Sequence, residues 1–255
     1  MRIVANDFEN NIHKELPVIT PAQQQQVDAA MQQLSDYIAQ PPWEEWMVEV
    51  FTNAIDYAAE MLDITADEVL DYLEEQPLDQ IAHAHVFEHF VNTETNEDGE
   101  TVIQAFLRHY AQQPQCQPFA LQYLTALSKA ELALWEVVSF KAGKSAAVRR
   151  FGTQEAVIHV PMDVESLPRN MCIAARMLTL SEGLQTFGFG LLPVERTDAE
   201  DLTAYLAQVR AEMQETAANE VPHEMADVEA AIGEEMVDLL FHETLAAWIG
   251  QGFEE

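Results

Sequence analysis

The side chains best suited to chemistry lie in the segment His85-Val86-Phe87-Glu88-His89. It matches the pattern H-x-x-E-H, in which two histidines four positions apart share one face of a helix and can hold a zinc ion. Glu88 would then act as general base toward a zinc-bound water, and His83 would offer a further imidazole. The pattern has few fixed positions, and no third ligand stands out among the carboxylates. A metal-dependent hydrolase is therefore the alternative function, and we assign no catalytic, cofactor-binding or metal-binding residue.

A structural interpretation of this segment is favoured, because so short a pattern often arises by chance. Residues 78–91 are predicted to form a helix that packs through Phe87 and Phe90 and carries the histidines at its rim. Adventitious binding of nickel or zinc by these histidines is then expected more than catalysis.

Other catalytic signatures are missing from the sequence. It contains no G-x-S-x-G, Walker or dinucleotide-binding glycine pattern, and we expect Gly183, Gly188 and Gly190 to lie in a strand and to ease close packing. Its two cysteines, Cys116 and Cys172, have no CxxC spacing and are too few for a disulfide framework. This usage fits a reducing compartment.

Helices are predicted on both sides of a central module. Thr20-Pro21-Ala22-Gln23 combines a capping threonine, a proline at the first helical position and a glutamine three residues later, which together mark a helix start. Thr65 and Thr197 open similar capping boxes, and apolar residues recur at helical spacing through the segment that begins at Trp43. The predicted helices cover residues 21–39, 43–62, 66–75, 78–91, 101–111, 117–128, 197–218 and 227–250.

The central module has strand-like patterning. Short apolar or alternating runs are separated by turn-like AGK, GT, SLPRN and SEG, which favours a small curled sheet or barrel. Five strands are predicted, over residues 132–140, 146–151, 155–160, 171–180 and 184–192. The fold class is α+β, with an acidic N-terminal α-helical layer (1–128), a small antiparallel barrel-like β-module (129–195) and two acidic C-terminal helices (196–255) that pack on the core.

The charge is extreme and uneven, at −32 for 255 residues. Residues 1–100 hold 22 acidic side chains against Arg2 and Lys14, and residues 211–255 hold 12 acidic side chains and no lysine or arginine. The stretch between them is neutral. Such a field repels nucleic acid and anionic membranes, so a basic protein is the expected partner. The alternative is that the acidity serves only solubility.

Four basic residues, Lys141, Lys144, Arg149 and Arg150, fall on one predicted hairpin. A barrel with such a hairpin can contact a nucleic-acid backbone. However, Phe140 and Phe151 are the only aromatic rings nearby on which bases could stack. Intramolecular pairing with the acidic helices is the favoured use of these charges.

Several segments between residues 87 and 180 match the pattern of a known family: Phe87 to Phe90, Asp98-Gly99, Phe106-Leu107-Arg108, Leu134 to Val138 and Ala175-Arg176. Together they resemble an uncharacterised bacterial region that often accompanies the SEC-C metal-binding motif. Val148-Arg149-Arg150 departs from the "LRD" of that region. The cysteine-rich motif itself is absent, so the resemblance implies a fold and no zinc site.

We therefore predict a non-catalytic acidic protein that acts in protein–protein interaction or as an adaptor. The first residues have no long apolar core and no run of 18 apolar residues occurs, so a cytoplasmic location is expected. Besides the hydrolase, a nucleic-acid mimic that occupies a basic groove is an alternative.

Overall fold

The computed structural model describes residues 17–76, 78–162, 171–220 and 225–253, without the side chains of Glu182, 217–220 and 225–227. Six helices precede a sheet of six strands, and two long helices follow it. The helices are α1 (Pro21–Ile38), α2 (Trp43–Leu62), α3 (Ala66–Glu75), α4 (Asp79–Thr93), α5 (Val102–Tyr110), α6 (Pro118–Leu127), α7 (Arg196–Glu220) and α8 (Met225–Gly250). The strands are β1 (Leu132–Lys141), β2 (Lys144–Arg150), β3 (Ile158–Met162), β4 (Met171–Thr179), β5 (Gln185–Phe187) and β6 (Leu192–Glu195). The predicted α+β class is confirmed.

Helix starts follow the capping signals of the sequence. The Thr20 and Thr65 hydroxyls accept hydrogen bonds from the backbone N–H groups of Gln23 and Glu68, whose side chains return the bond, so α1 and α3 begin in complete capping boxes. The capping box predicted at Thr197 is wrong. Helix α7 begins one residue earlier, at Arg196, directly after the last strand. No helix in the described ranges is long and apolar enough to cross a membrane.

The antiparallel sheet has the strand order β3-β2-β1-β4-β5, and β6 also pairs with β4. Both β5 and β6 lie along the same edge of β4, with Met177 opposite Phe187 and Cys172 opposite Val194. Strand β3 contacts β5, so the sheet curls into a nearly closed barrel. The turn SLPRN lies outside the described residues.

The prediction of a single strand over residues 184–192 is wrong. The chain leaves the edge of β4 after Gly188, whose N–H still donates to the carbonyl oxygen of Arg176, and it returns at Leu192. Between these points Gly190 lies against α4, where its N–H donates to Glu88. The third strand also lies later than predicted, beginning at Ile158. Within the described residues the module therefore has six strands where five were expected.

Side chains along β1 and β4 alternate between the barrel interior and the outer face that packs against the helices. Ala133, Trp135, Ile173 and Ala175 point into the barrel, whereas the intervening residues face the helices. One helical core joins α2, α3 and α4 to the outer barrel face and to α7 and α8. A second core joins α1, α2, α4, α5 and α6 to the far end of β4. Helix α4 contributes to both helical cores and lies where they meet.

Candidate functional site: a buried ionisable cluster and an acidic surface

The H-x-x-E-H segment lies on α4 at this junction, and its ionisable side chains are buried. His85 and Glu88 are each 2% exposed and His89 is 5% exposed. The expectation that the histidines lie at the rim of the helix is therefore wrong for these two. His83 alone is exposed, where its ring stacks on Phe51. Phe90 packs in the helical core as predicted, with Phe87 partly buried beside it.

His85 is held as a neutral imidazole. Its Nδ1 lies 2.6 Å from the carbonyl oxygen of Gly190, and because a carbonyl only accepts, Nδ1–H must be the donor. Burial lowers the pKa of His85 to about 3, with smaller contributions of the same sign from His89 and Arg176. The remaining nitrogen, Nε2, has no hydrogen-bond partner among the described residues.

His89 makes a different set of contacts with α8. Its ring stacks on Phe241 at 3.8 Å between centroids, and its Nε2 lies 3.3 Å from Oδ1 of Asp238. Burial lowers the pKa of His89, and the Asp238 carboxylate opposes this effect. Phe241 also stacks on His85, at 5.2 Å. A single ring of α8 therefore covers both histidines.

Glu88 points to the loop between β5 and β6 and to β4. Its Oε2 accepts a hydrogen bond of 2.9 Å from the backbone N–H of Gly190. Burial raises the pKa of Glu88, while the Arg176 guanidinium and the Gly190 and Phe189 N–H groups oppose the rise. Arg176 is 2% exposed and forms no direct ion pair with Glu88 in the described chain. We call His85, Glu88, His89 and Arg176 the buried cluster.

Two glycines allow this loop to approach α4. A Cβ on Gly190 would lie 2.8 Å from Cβ of Glu88 and 2.9 Å from the carbonyl oxygen of Ala84. A Cβ on Gly188 would clash with the Glu88 carboxylate. The predicted close packing is confirmed for Gly188 and Gly190, although they lie in a loop and not in a strand. It is wrong for Gly183, which lies in a short 3₁₀ helix and whose Cβ would meet no atom within 4 Å.

The arrangement uses the H-x-x-E-H side chains to join α4 to the barrel and to α8. His85 and Glu88 both bond to the backbone of Gly190, whereas His89 contacts Asp238. Over the described part of the chain, no group of three or more His, Cys, Asp or Glu side chains is placed to hold a metal ion. The hydrolase alternative stays a prediction.

The four basic residues do share the β1–β2 hairpin, but they lie at its two ends. Arg149 pairs with Glu136 on β1, and Arg196 of α7 pairs with the same carboxylate at 3.3 Å. The expected pairing with acidic helices is wrong for Arg149, since its partner is on the neighbouring strand. Lys141 and Lys144 flank the turn and are exposed.

Acidic side chains from distant parts of the sequence meet on adjacent helices. Helix α2 packs against both α3 and α8, and no lysine or arginine occurs between Lys14 and Arg108 or after Arg210. We call the exposed carboxylates of α2, α3 and α8 the acidic surface. They include Glu44, Glu45, Glu49, Asp56, Glu60, Asp67, Glu68, Asp71, Glu74, Glu75, Glu234, Glu235 and Asp238.

Glu94, at the end of α4, lies close to carboxylates of two other helices. Its carboxyl is half-buried, and burial raises its pKa. The carboxylates of Asp238 on α8 and Glu49 on α2 raise it further. Sequence patterns did not single out Glu94 or Asp238, because their proximity depends on packing between helices that are far apart in the chain.

No protein-family model matches the chain, and no curated protein or solved structure shows significant similarity to it. The resemblance to the region that accompanies the SEC-C motif stays a prediction.

Proposed function

We propose that the protein is a non-catalytic interaction or adaptor protein of the cytoplasm that binds a basic protein through its acidic surface. The observation that carries this proposal is the convergence of α2, α3 and α8, which carry no lysine or arginine, on one another. Glu49 on α2 and Asp238 on α8 are close enough to Glu94, at the end of α4, to raise its pKa. Both cysteines are free, as is typical of a reducing compartment.

The described cations leave this surface largely unneutralised. Arg108, Arg149 and Arg196 pair with carboxylates outside it, and Arg210 pairs with Glu229 at 3.3 Å. A basic partner would replace the missing counter-charge and would be attracted over about one Debye length, roughly 10 Å at 0.1 M salt. The same field disfavours direct binding of nucleic acid or of an anionic membrane.

Affinity capture from the lysate of the source cells tests this proposal. The wild-type chain should retain a basic protein in stoichiometric amount at physiological ionic strength. The double variants Glu74→Gln/Glu75→Gln on α3 and Glu234→Gln/Glu235→Gln on α8 should lose it. A matched control, Glu97→Gln/Asp98→Asn, removes the same charge from the α4–α5 turn and should retain it. Equal loss in all three variants would indicate a non-specific effect of net charge and would contradict the proposal.

Competition with duplex DNA separates the adaptor from the nucleic-acid mimic. A mimic occupies the DNA-binding groove of its target, so DNA must displace it. An adaptor of the proposed kind should remain bound to its partner when DNA is added. Capture of no protein above salt-labile background would contradict both and leave the acidity as a solubility trait.

A further inference from the structure

A cleft of about 1110 Å³ opens between the α7–α8 pair and the outer face of the barrel. The end of α4, the start of α5 and the segment 128–132 complete its wall. Its volume lies slightly above the usual range for small-molecule sites, roughly 300–1,000 Å³, so a small ligand would fill only part of it. The charged side chains that line it are Lys129, Glu131, Arg150, Arg176, Arg210, Glu234 and Asp238.

Arg176 is the one buried charge in this lining, with 2% of its surface exposed. Its buried Nε has no hydrogen-bond partner, and its guanidinium makes no hydrogen bond or ion pair with any residue that the structure describes. The neighbouring Glu88 carboxylate attracts the guanidinium, but its Oε2 accepts from Gly190 and it forms no hydrogen bond with Arg176 in the described residues. A buried charged donor without an acceptor is costly. An acceptor in the cleft could therefore gain hydrogen bonds from this guanidinium.

The other cations of the cleft are less available. Arg210 pairs with Glu229 at 3.3 Å, and Arg150 lies 4.0 Å from Glu131. Lys129 is exposed at the rim. The site therefore offers one desolvated guanidinium beside acidic groups, which suits an anion of single charge.

The rest of the lining is suited to an apolar body. Leu206 on α7 and Val237 and Leu240 on α8 form one side of the cleft. The hydroxyl group of Thr203 also lies on α7, and that of Ser128 lies on the facing wall. A ligand with one anionic end and an apolar remainder matches this combination.

We propose that the cleft binds a small carboxylic acid, with its carboxylate on the guanidinium of Arg176 and its apolar body along Leu206, Val237 and Leu240. A guanidinium presents parallel N–H donors that match the two oxygens of a carboxylate. The nearby carboxylates of Asp238 and Glu234 disfavour a more highly charged phosphate. This proposal does not depend on the binding of a basic protein, although Glu234 and Asp238 belong both to the acidic surface and to the wall of the cleft.

Hexanoate and phenylacetate are suitable probes for the full chain, with hexanol, hexylammonium and hexyl phosphate as comparisons. Calorimetry measures affinity, and spectra of ¹⁵N-arginine-labelled protein report the Nε–H of each arginine. The Arg176 signal is identified by its loss in Arg176→Lys. We expect at least one of the two carboxylates to bind and to shift that signal, and hexanol and hexylammonium to bind at least about tenfold more weakly.

Two variants test the position of the ligand. Arg176→Lys keeps the positive charge but removes the parallel N–H donors of the guanidinium, and should weaken binding by about tenfold or more. Gly233→Phe fills the cleft from α8 and leaves Arg176 in the chain, and a Cβ at Gly233 meets no atom within 4 Å. It should abolish binding, whereas Ala231→Phe, exposed on the same helix and outside the cleft, should not.

Three results would overturn the proposal. The first is failure of both carboxylates to bind at 10 mM, a probe concentration chosen on the order of the weakest useful affinities. The second is unchanged binding to Gly233→Phe. The third is tighter binding of hexyl phosphate than of hexanoate, which would assign the site to phosphate chemistry.

Discussion

Replacement of His85 by asparagine should change how the stability of the protein depends on pH. Asn keeps a side-chain N–H donor near the carbonyl oxygen of Gly190, which His85 Nδ1 contacts at 2.6 Å, but it cannot titrate. Burial lowers the pKa of His85 from 6.5 to about 3. Between pH 6.5 and pH 3 the imidazole is therefore protonated in the unfolded chain and neutral in the folded chain.

The sign and size of the effect follow from this difference. Since the unfolded state binds more protons below pH 6.5, the stability that His85 contributes is fully present above pH 6.5 and is lost progressively toward pH 3. The loss is about 1.4 kcal/mol per pH unit, or about 2 kcal/mol between pH 6.5 and pH 5. His89 and His242, whose pKa values burial also lowers, act in the same direction in both proteins.

Urea unfolding followed by tryptophan fluorescence between pH 7.5 and pH 4.5 measures this effect. The free energy of unfolding of the wild type should fall more steeply than that of His85→Asn, by about 2 kcal/mol over the acid half of the range. His83→Asn is the matched control, because His83 is exposed on the same helix, and it should retain the wild-type slope. Equal slopes for wild type and His85→Asn would refute the assignment of a buried neutral imidazole.

Three further outcomes are expected. Gly190→Ala should destabilise the protein by about 1–3 kcal/mol in urea unfolding, because its Cβ would lie 2.9 Å from the backbone oxygen of Ala84; a neutral result would contradict the close approach of the loop to α4. Gly233→Ala, in the interior of α8 with open space around its Cβ, should instead stabilise by up to about 1 kcal/mol, and a loss of stability would indicate a contact that the structure lacks. Removal of residues 226–255 should cause aggregation in light scattering, since it removes Phe241 and Leu245 and exposes the rest of their apolar core; a monomeric product with an unchanged Tm would show that α8 is a detachable arm.

Much of the helical scaffold could be predicted because its signals are local. The caps of α1 and α3 depend on side chains three residues apart, and the stripe of α2 depends on spacing within one helix. Thr197 shows the limit of such signals. It carries the same local pattern, but β6 runs directly into α7 at Arg196 and leaves no room for a separate cap.

The buried cluster could not be predicted because its partners are remote in the chain. Gly190 lies about a hundred positions from Glu88 and His85, and Asp238 lies still further from His89. The sequence shows only a possible ligand pattern, and burial between two apolar cores decides how those side chains are used. The split of the predicted last strand has the same origin, since the hydrogen bonds of Gly190 with Glu88 and His85 hold the chain against α4 and away from the sheet edge.

The association rate of the captured partner shows whether the acidic surface binds a basic protein. Stopped-flow measurement over increasing salt should give a rate for the wild type that falls steeply with ionic strength. Glu74→Gln/Glu75→Gln should reduce both the rate at low salt and its salt dependence, while Glu97→Gln/Asp98→Asn should reduce them less. A rate that is independent of salt, or two double variants that behave alike, would contradict binding through the acidic surface.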